Sequence, residues 1–287
     1  MEAIERMPIA SFPDALYDEA IEKIARFSVG LIGIHVRDHT EVAWQSGSGT
    51  LVDLDGTLCI ITADHVIEDV LHGQRIGLLI DWNGGLRRCM LDRNHLQFVR
   101  LARGPTQDVG PDLGAILLPR NGEAVATLHA HKAFYNLRKR TEQFATGYPS
   151  PTEGVWIPCG VLAEGSQALP PSRGFESVTG HWGMFGIANS PTETLRGDFD
   201  YLDLRGRPRI DPDMPGSFRG ASGGGLWQAR IARKLDGSLE LREVVLSGII
   251  FYETDVENDI RGLRCHGRAS LHVQLVEAIR RHVSESN

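Results

Sequence analysis

Phe218-Arg219-Gly220-Ala221-Ser222-Gly223-Gly224-Gly225-Leu226-Trp227 sets a single hydroxyl among four glycines. Glycine lets a backbone approach a bound molecule closely and reach φ > 0 without a Cβ penalty, so Ser222 reads as a nucleophile displayed on a tight turn. A serine hydroxyl attacks poorly at neutral pH. It needs a neighbouring base, a carboxylate that orients the base, and N–H donors aimed at the oxyanion that forms. The alternative is a flexible Gly/Ser turn with an incidental hydroxyl, and the residues upstream decide between the two.

Gly220-Ala221-Ser222-Gly223-Gly224 also fits the G-x-S-x-G elbow that ends a buried strand in α/β-hydrolases. The preceding Asp211-Pro212-Asp213-Met214-Pro215-Gly216-Ser217 carries two prolines and two aspartates and cannot be that strand.

Composition bounds the rest. A chain of 287 residues builds one large or two modest domains. Hydrophobic residues at 41% and charged residues at 23% are ordinary for a soluble globular protein, and a formal net charge of −7 argues against a general nucleic-acid binder, which needs a basic face. No apolar run approaches the roughly 18 residues of a membrane span. Met1-Glu2-Ala3-Ile4-Glu5-Arg6 has no apolar run behind it, so no export signal and a cytoplasmic location are expected. Cys59, Cys89, Cys159 and Cys265 are scattered without C-x-x-C spacing, which points to reduced, buried thiols rather than a disulfide scaffold or a zinc site.

Ala15, Leu16, Ala20, Ile21 and Ile24 recur at helical spacing between Phe12 and Phe27, with Pro13 near the start, and predict an N-terminal helix. Residues Ser28 to Val36 predict a buried strand. Ser46-Gly47-Ser48-Gly49 then leads into two apolar runs flanking Asp55-Gly56, a pair that favours a tight hairpin turn. The second run ends in Thr62-Ala63-Asp64-His65, a candidate base. Two carboxylates compete to orient it: Asp112, which opens the apolar run Leu113 to Leu118, and Asp108, which stands in a polar loop.

Taken in order, Gly47-Ser48-Gly49, Asp55-Gly56, Thr62-Ala63-Asp64-His65-Val66, Asp112-Leu113-Gly114 and Gly220-Ala221-Ser222-Gly223-Gly224 resemble the chymotrypsin-type serine proteases, and most of all their bacterial high-temperature-requirement branch. His, Asp, Ser is the order of chymotrypsin and not of the α/β-hydrolases. Phe144 to Pro149 is similar to the family's first strand of the second barrel, and Leu246 to Tyr252 to the strand that pairs with the substrate backbone. Ser270 to His282, with Leu271, Leu275, Val276 and Ile279 on one face, is similar to the closing helix. The resemblance covers most of residues 28 to 283, leaving 170 to 200 and the N-terminal helix without a counterpart. It implies a mostly β, chymotrypsin-like double six-stranded antiparallel β-barrel with an N-terminal and a C-terminal helix. The divisions would be a helical extension at 1–27, a first barrel at 28–130, a linker at 131–143, a second barrel at 144–269 and a helix at 270–287.

The resemblance further implies a His65, Asp112, Ser222 triad that cleaves peptide bonds, with an oxyanion hole from the N–H groups of Gly220 and Ser222. The specificity pocket would have Gly216 at its base, Ser217 and Phe218 as wall and Arg219 at its rim. The substrate would add as a strand along Phe251, Tyr252 and Glu253. No metal or cofactor is implied. With no carboxylate at the pocket base, a neutral or apolar side chain is expected there; Glu253 reads either as a lure for a basic side chain or as an idle surface glutamate. Ala221 stands where many secreted members carry the aspartate that pairs with a newly cleaved N-terminus, and Val66 stands where they carry a disulfide cysteine, so activation by N-terminal cleavage is not expected. Few residues follow the closing helix, so no trailing peptide-binding (PDZ) domain is expected either. The expected partner is a protein or peptide substrate, not nucleic acid or membrane, and a regulatory partner or a second copy of the chain stays open.

Two rival readings remain. Leu51 to Leu58 matches the opening motif of haloacid-dehalogenase-like phosphatases, with Asp53 as nucleophile and Asp55 as acid/base on magnesium, and Gly197-Asp198 through Asp203 imitates their acidic motif; Thr194-Leu195-Arg196 is not the buried strand that motif needs. The other rival is a protease fold used only as a binding module. His95, His129 and His131 lack the regular spacing of a metal site, and Arg138-Lys139-Arg140 reads as a solvated basic run.

Overall fold

At the Asp55-Gly56 hairpin, φ is 54° at the aspartate and 81° at the glycine, the left-handed pair whose twist suits a two-residue turn between antiparallel strands. The Gly56 N–H donates to Asp53 Oδ1 at 2.8 Å. This turn sits in a computed structural model that describes residues 2–3, 13–37, 40–80, 88–101, 104, 109–147, 149–172, 175–184, 191–206, 217–255 and 261–286. The expectations for Asp108 and Gly216 lie outside the described residues.

Strand β1 (Glu2–Ala3) and helix α1 (Asp14–Ala25) precede a sheet made of β2 (Ser28–Arg37), β3 (Thr40–Leu54), β4 (Thr57–Thr62), β5 (Arg75–Leu79), β6 (Arg88–Leu91), β7 (Gln97–Arg100) and β8 (Gly114–Leu117). Helix α2 (Asp64–His72) follows β4 directly. These strands pair antiparallel in the order β6-β5-β2-β3-β4-β8-β7. Helix α3 (Glu123–His131), strand β9 (Tyr135–Asn136) and helix α4 (Leu137–Phe144) lead to the second sheet. That sheet holds β10 (Val155–Ser172), β11 (Phe175–Met184), β12 (Thr192–Arg196), β13 (Phe199–Gly206), β14 (Gly225–Arg233), β15 (Leu239–Glu253) and β16 (Arg261–His266). Its antiparallel order is β12-β13-β16-β15-β14-β10-β11. The protein is mostly β, with two antiparallel sheets, and among the described residues the outermost strands of neither sheet pair with each other.

Val29, Leu31, Leu51, Ile60 and Ile116 of the first sheet pack with Val66, Ile67 and Val70 of α2. A second core joins Ile24 of α1 to Ile157, Trp227 and Leu246 of the second sheet and to Leu271 and Leu275 near the C-terminus. Each such buried side chain stabilises the fold by roughly 1.5–3 kcal/mol before entropy is counted. The Trp227 ring lies 5.5 Å from Phe27 and 5.3 Å, edge-on, from Tyr135. The C-terminal helix opens with a π-wound turn (Ser270–Leu275) and continues as α5 (Val276–Ser286). Its first N–H groups are satisfied from β13: buried Asp200 accepts from Ala269 N at 2.9 Å and Ser270 N at 2.6 Å.

Two expectations are corrected. No strand starts at Phe144, the last residue of α4; the next strand begins at Val155. Helix wins there because Asn136 caps the Lys139 N–H at 2.9 Å and the intervening residues are good helix formers, while Gly147 ends the turn at φ 76°. Arg140 is not part of a solvated run either, being 15% exposed and paired with Glu243 at 2.7 Å.

Candidate active site

His65 stands in the first turn of α2, where β4 gives way to helix. Its neighbour Asp64, 1% exposed, is clamped by Arg100 of β7 through Nε at 2.6 Å and Nη2 at 2.7 Å, so the start of the helix is tied to the sheet edge. Asp112 lies just before β8 and is 1% exposed. One carboxylate oxygen faces His65 Nδ1 at 2.6 Å, and the other accepts the His65 backbone N–H at 2.9 Å. Burial pushes the Asp112 carboxyl upward, but the hydrogen bond and charge of His65 and its backbone N–H hold it below the usual aspartate value. Asp112 is therefore a carboxylate at neutral pH, and the Nδ1 proton stays on His65.

Behind the carboxylate sits a residue with no motif to announce it. The Asp112 N–H donates to Nε2 of His266 in β16 at 2.9 Å. The His266 ring is fully buried and stacks on Phe251 with centroids 4.5 Å apart. Burial lowers its pKa to about 4, so it accepts as a neutral imidazole. The strand Arg261-Gly262-Leu263-Arg264-Cys265-His266 gives no signal of it, since alternation puts His266 in phase with Arg264.

The serine arrives on the loop before β14. Gly220 at φ 92° and Gly223 at φ 86° occupy the left-handed region. A Cβ on Gly223 would lie 2.0 Å from both Ser48 O and Thr62 Oγ1, so glycine is required there for space as well. The loop is braced by Ala221 N to Phe218 O at 2.9 Å, Gly223 N to Ile250 O at 2.7 Å and Gly224 N to Ala221 O at 2.8 Å. Among the described residues, the N–H groups of Gly220 and Ser222 have no acceptor. Ser222 Oγ donates to Phe251 O at 3.4 Å, and no hydrogen bond joins it to His65.

His65, Ser217, Phe218, Arg219, Gly220, Ser222, Phe251, Tyr252 and Glu253 all line one cleft of about 650 Å³, faced by Trp44, Gln45, Ser46 and Asp69. Asp112 is brought in behind His65 and does not line the cleft. Phe218 is a buried wall residue, whereas Arg219 is exposed. Glu253 neither stands idle nor waits for a cation. It accepts from the Phe218 N–H at 3.0 Å and from Ser217 Oγ at 3.2 Å and pairs with Arg261 at 3.0 Å, bracing the wall of the cleft. β15 pairs with β14 only as far as Ile249, and a register shift between Ile250 and Tyr252 bulges the strand at Phe251, leaving the edge of residues 251–253 toward the cleft without a partner strand among the described residues.

The acidic pair of the rival reading lies elsewhere. Asp53 caps the hairpin, and Asp55 binds Arg280 at 2.8 Å. No group of three or more His, Cys, Asp or Glu among the described residues is arranged to hold a metal. All four cysteines are free and buried, and burial pushes Cys59 up to about 12 and Cys159 up to about 11, so neither is a thiolate nucleophile at neutral pH. Among the described residues no helix is long and apolar enough to cross a membrane.

No family model matches the chain, and no curated protein matches it. Among solved structures, it is similar to the crystal structure of the Rv3671c protease from M. tuberculosis in its active form. Sequence identity is 13%, the TM-score is 0.45, and the alignment covers 97% of this chain and 93% of that one.

Proposed function

We propose that this chain is a serine endopeptidase of the chymotrypsin-like double-barrel class, akin to the high-temperature-requirement branch, with residues 28–130 and 144–269 as its two halves. The observation that carries the reading is a buried carboxylate 2.6 Å from an imidazole nitrogen, with that imidazole lining the same cleft as Ser222 and the unengaged N–H groups of Gly220 and Ser222.

In this reading Ser222 turns about its Cα–Cβ bond from the Phe251 carbonyl to His65 Nε2 when substrate enters. His65 takes the hydroxyl proton as Oγ bonds to the scissile carbonyl carbon, and Asp112 stabilises the imidazolium. The oxyanion is held by the Gly220 and Ser222 N–H groups. The C–N bond then breaks, its nitrogen receiving the proton from His65, and water repeats the sequence on the acyl-enzyme. The substrate backbone adds to the open edge of Phe251, Tyr252 and Glu253, and its side chain enters a pocket walled by Ser217, Phe218 and Arg219. With Glu253 committed to Arg261 and the loop, that pocket favours a neutral or apolar side chain.

The test is hydrolysis of a fluorogenic peptide library by wild type and Ser222→Ala. The expected result is turnover by wild type alone, preferentially after neutral or apolar residues. Equal turnover by both proteins, or none by either, contradicts the reading.

A further inference from the structure

We propose that Ser48 is a positioning residue that sets the oxyanion-binding N–H groups from the opposite sheet; this rests on the peptidase reading for its catalytic consequence and on hydrogen bonding alone for its structural one. Ser48 lies in β3 and is 1% exposed. Two of its four polar contacts reach the loop that carries Ser222, and the other two tie it to β10 and β4. Its hydroxyl donates to Gly220 O at 2.8 Å and accepts the Val161 N–H at 2.7 Å. Its backbone N–H donates to Ser222 O at 2.7 Å, and its carbonyl accepts from Thr62 Oγ1 at 2.7 Å.

A hydroxyl has one proton. With Val161 N–H on the oxygen's acceptor side, that proton is committed to Gly220 O. The consequence follows from peptide planarity, which sets C=O and N–H on opposite edges of each unit. The unit joining Gly220 to Ala221 is pinned at both edges, by Ser48 Oγ and by the Phe218 carbonyl. The unit joining Ser222 to Gly223 is pinned likewise, by the Ser48 N–H and the Ile250 carbonyl. The two units between and before these are the ones that carry the Ser222 and Gly220 N–H groups, and both N–H groups are left without acceptors among the described residues. One side chain and its own backbone thus grip both residues proposed to bind the oxyanion. Through Thr62, three residues before His65, the same residue ties that grip to the strand end that delivers the base. Ser48 is bonded to neither His65 nor the Ser222 hydroxyl, so its effect is on geometry alone.

Ser48→Ala deletes the hydroxyl bond to Gly220 and keeps the backbone bond to Ser222. On a fluorogenic peptide, kcat per active site counted by fluorophosphonate titration should fall about 10- to 100-fold with KM within about twofold, because the oxyanion forms only after binding. Ser48→Cys, whose thiol is a weak donor, should fall between the two and serves if the alanine variant does not fold. Unchanged kcat per titrated site, or a rise in KM with kcat intact, overturns the inference. A second arm does not depend on turnover. In amide NMR spectra of wild type and variant, the Gly220 and Ser222 signals should shift more than those of the distant Asp55-Gly56 turn; if they stay in place, the grip is wrong even in a protein that cleaves nothing. Absence of wild-type turnover with shifted amides would instead remove the peptidase reading and leave the grip standing.

Discussion

Two imidazole–carboxylate pairs in this protein join the same atoms at nearly the same distance: His65 Nδ1 to Asp112 Oδ2 at 2.6 Å and His95 Nδ1 to Asp92 Oδ2 at 2.8 Å. Their surroundings differ completely. The His95 and Asp92 side chains are 69% and 60% exposed, on a 3-10 turn that Asp92 also caps through the Asn94 N–H. Those of His65 and Asp112 are 21% and 1% exposed, and the second carboxylate oxygen is taken by a backbone N–H. An exposed pair of this kind contributes about 0–1 kcal/mol and is screened by salt. Burial turns the other into a fixed device, since an ionised carboxylate away from water must keep its donors or lose its charge. What separates a solvated turn from a proton-handling pair is therefore the packing around the acid, and above all His266 behind it.

That contrast can be broken most forcefully at the acid itself. Asp112→Asn keeps the shape, but its amide donates into Nδ1 and drives the ring proton to Nε2, where the base must be empty. Peptide kcat/KM should fall on the order of 10³- to 10⁴-fold, and a loss under tenfold would contradict the assigned role. His266→Phe should retain the stacking on Phe251 but strand a buried Asp112 N–H, costing about 1–3 kcal/mol in urea unfolding; no loss would mean the contact is idle.

The same histidine gives a pH signature. Its pKa falls from 6.5 to about 4 on folding, so the unfolded chain binds a proton that the folded chain refuses. Stability from this source is complete above pH 6.5 and is lost as the pH falls toward 4. His272, lowered to about 3 by burial, and Asp112, held below its usual value, act in the same direction. The slope of unfolding free energy between pH 4 and 6.5 should be shallower in His266→Phe, and an equal slope would remove His266 as its source. The smallest effect belongs to the exposed pair: Asp92→Asn should leave turnover unchanged and stability within about 0.5 kcal/mol.

Much of the scaffold was legible because it is local. The Asp55-Gly56 turn, the strand ending in Thr62 and the N-terminal helix follow from residues within reach of one another. The meeting of His65 and Asp112 was legible from the order of motifs. Ser48 and His266 were not, since their meaning lies in contacts to residues 172 and 154 positions away. Glu253 misled as a surface residue because Arg261, its partner, is on the neighbouring strand and invisible to any local pattern. At Phe144 an apolar residue reads as strand, while the cap at Asn136 makes it the end of a helix.

The central claim is that the Ser222 hydroxyl, served by His65, is a nucleophile, and covalent labelling tests it most directly. Treated with a fluorophosphonate at neutral pH and digested for mass spectrometry, the protein should carry one phosphonyl adduct, on Ser222, formed at least about 10³-fold more slowly in His65→Ala. An unlabelled Ser222, or labelling at the same rate without the imidazole, would contradict it.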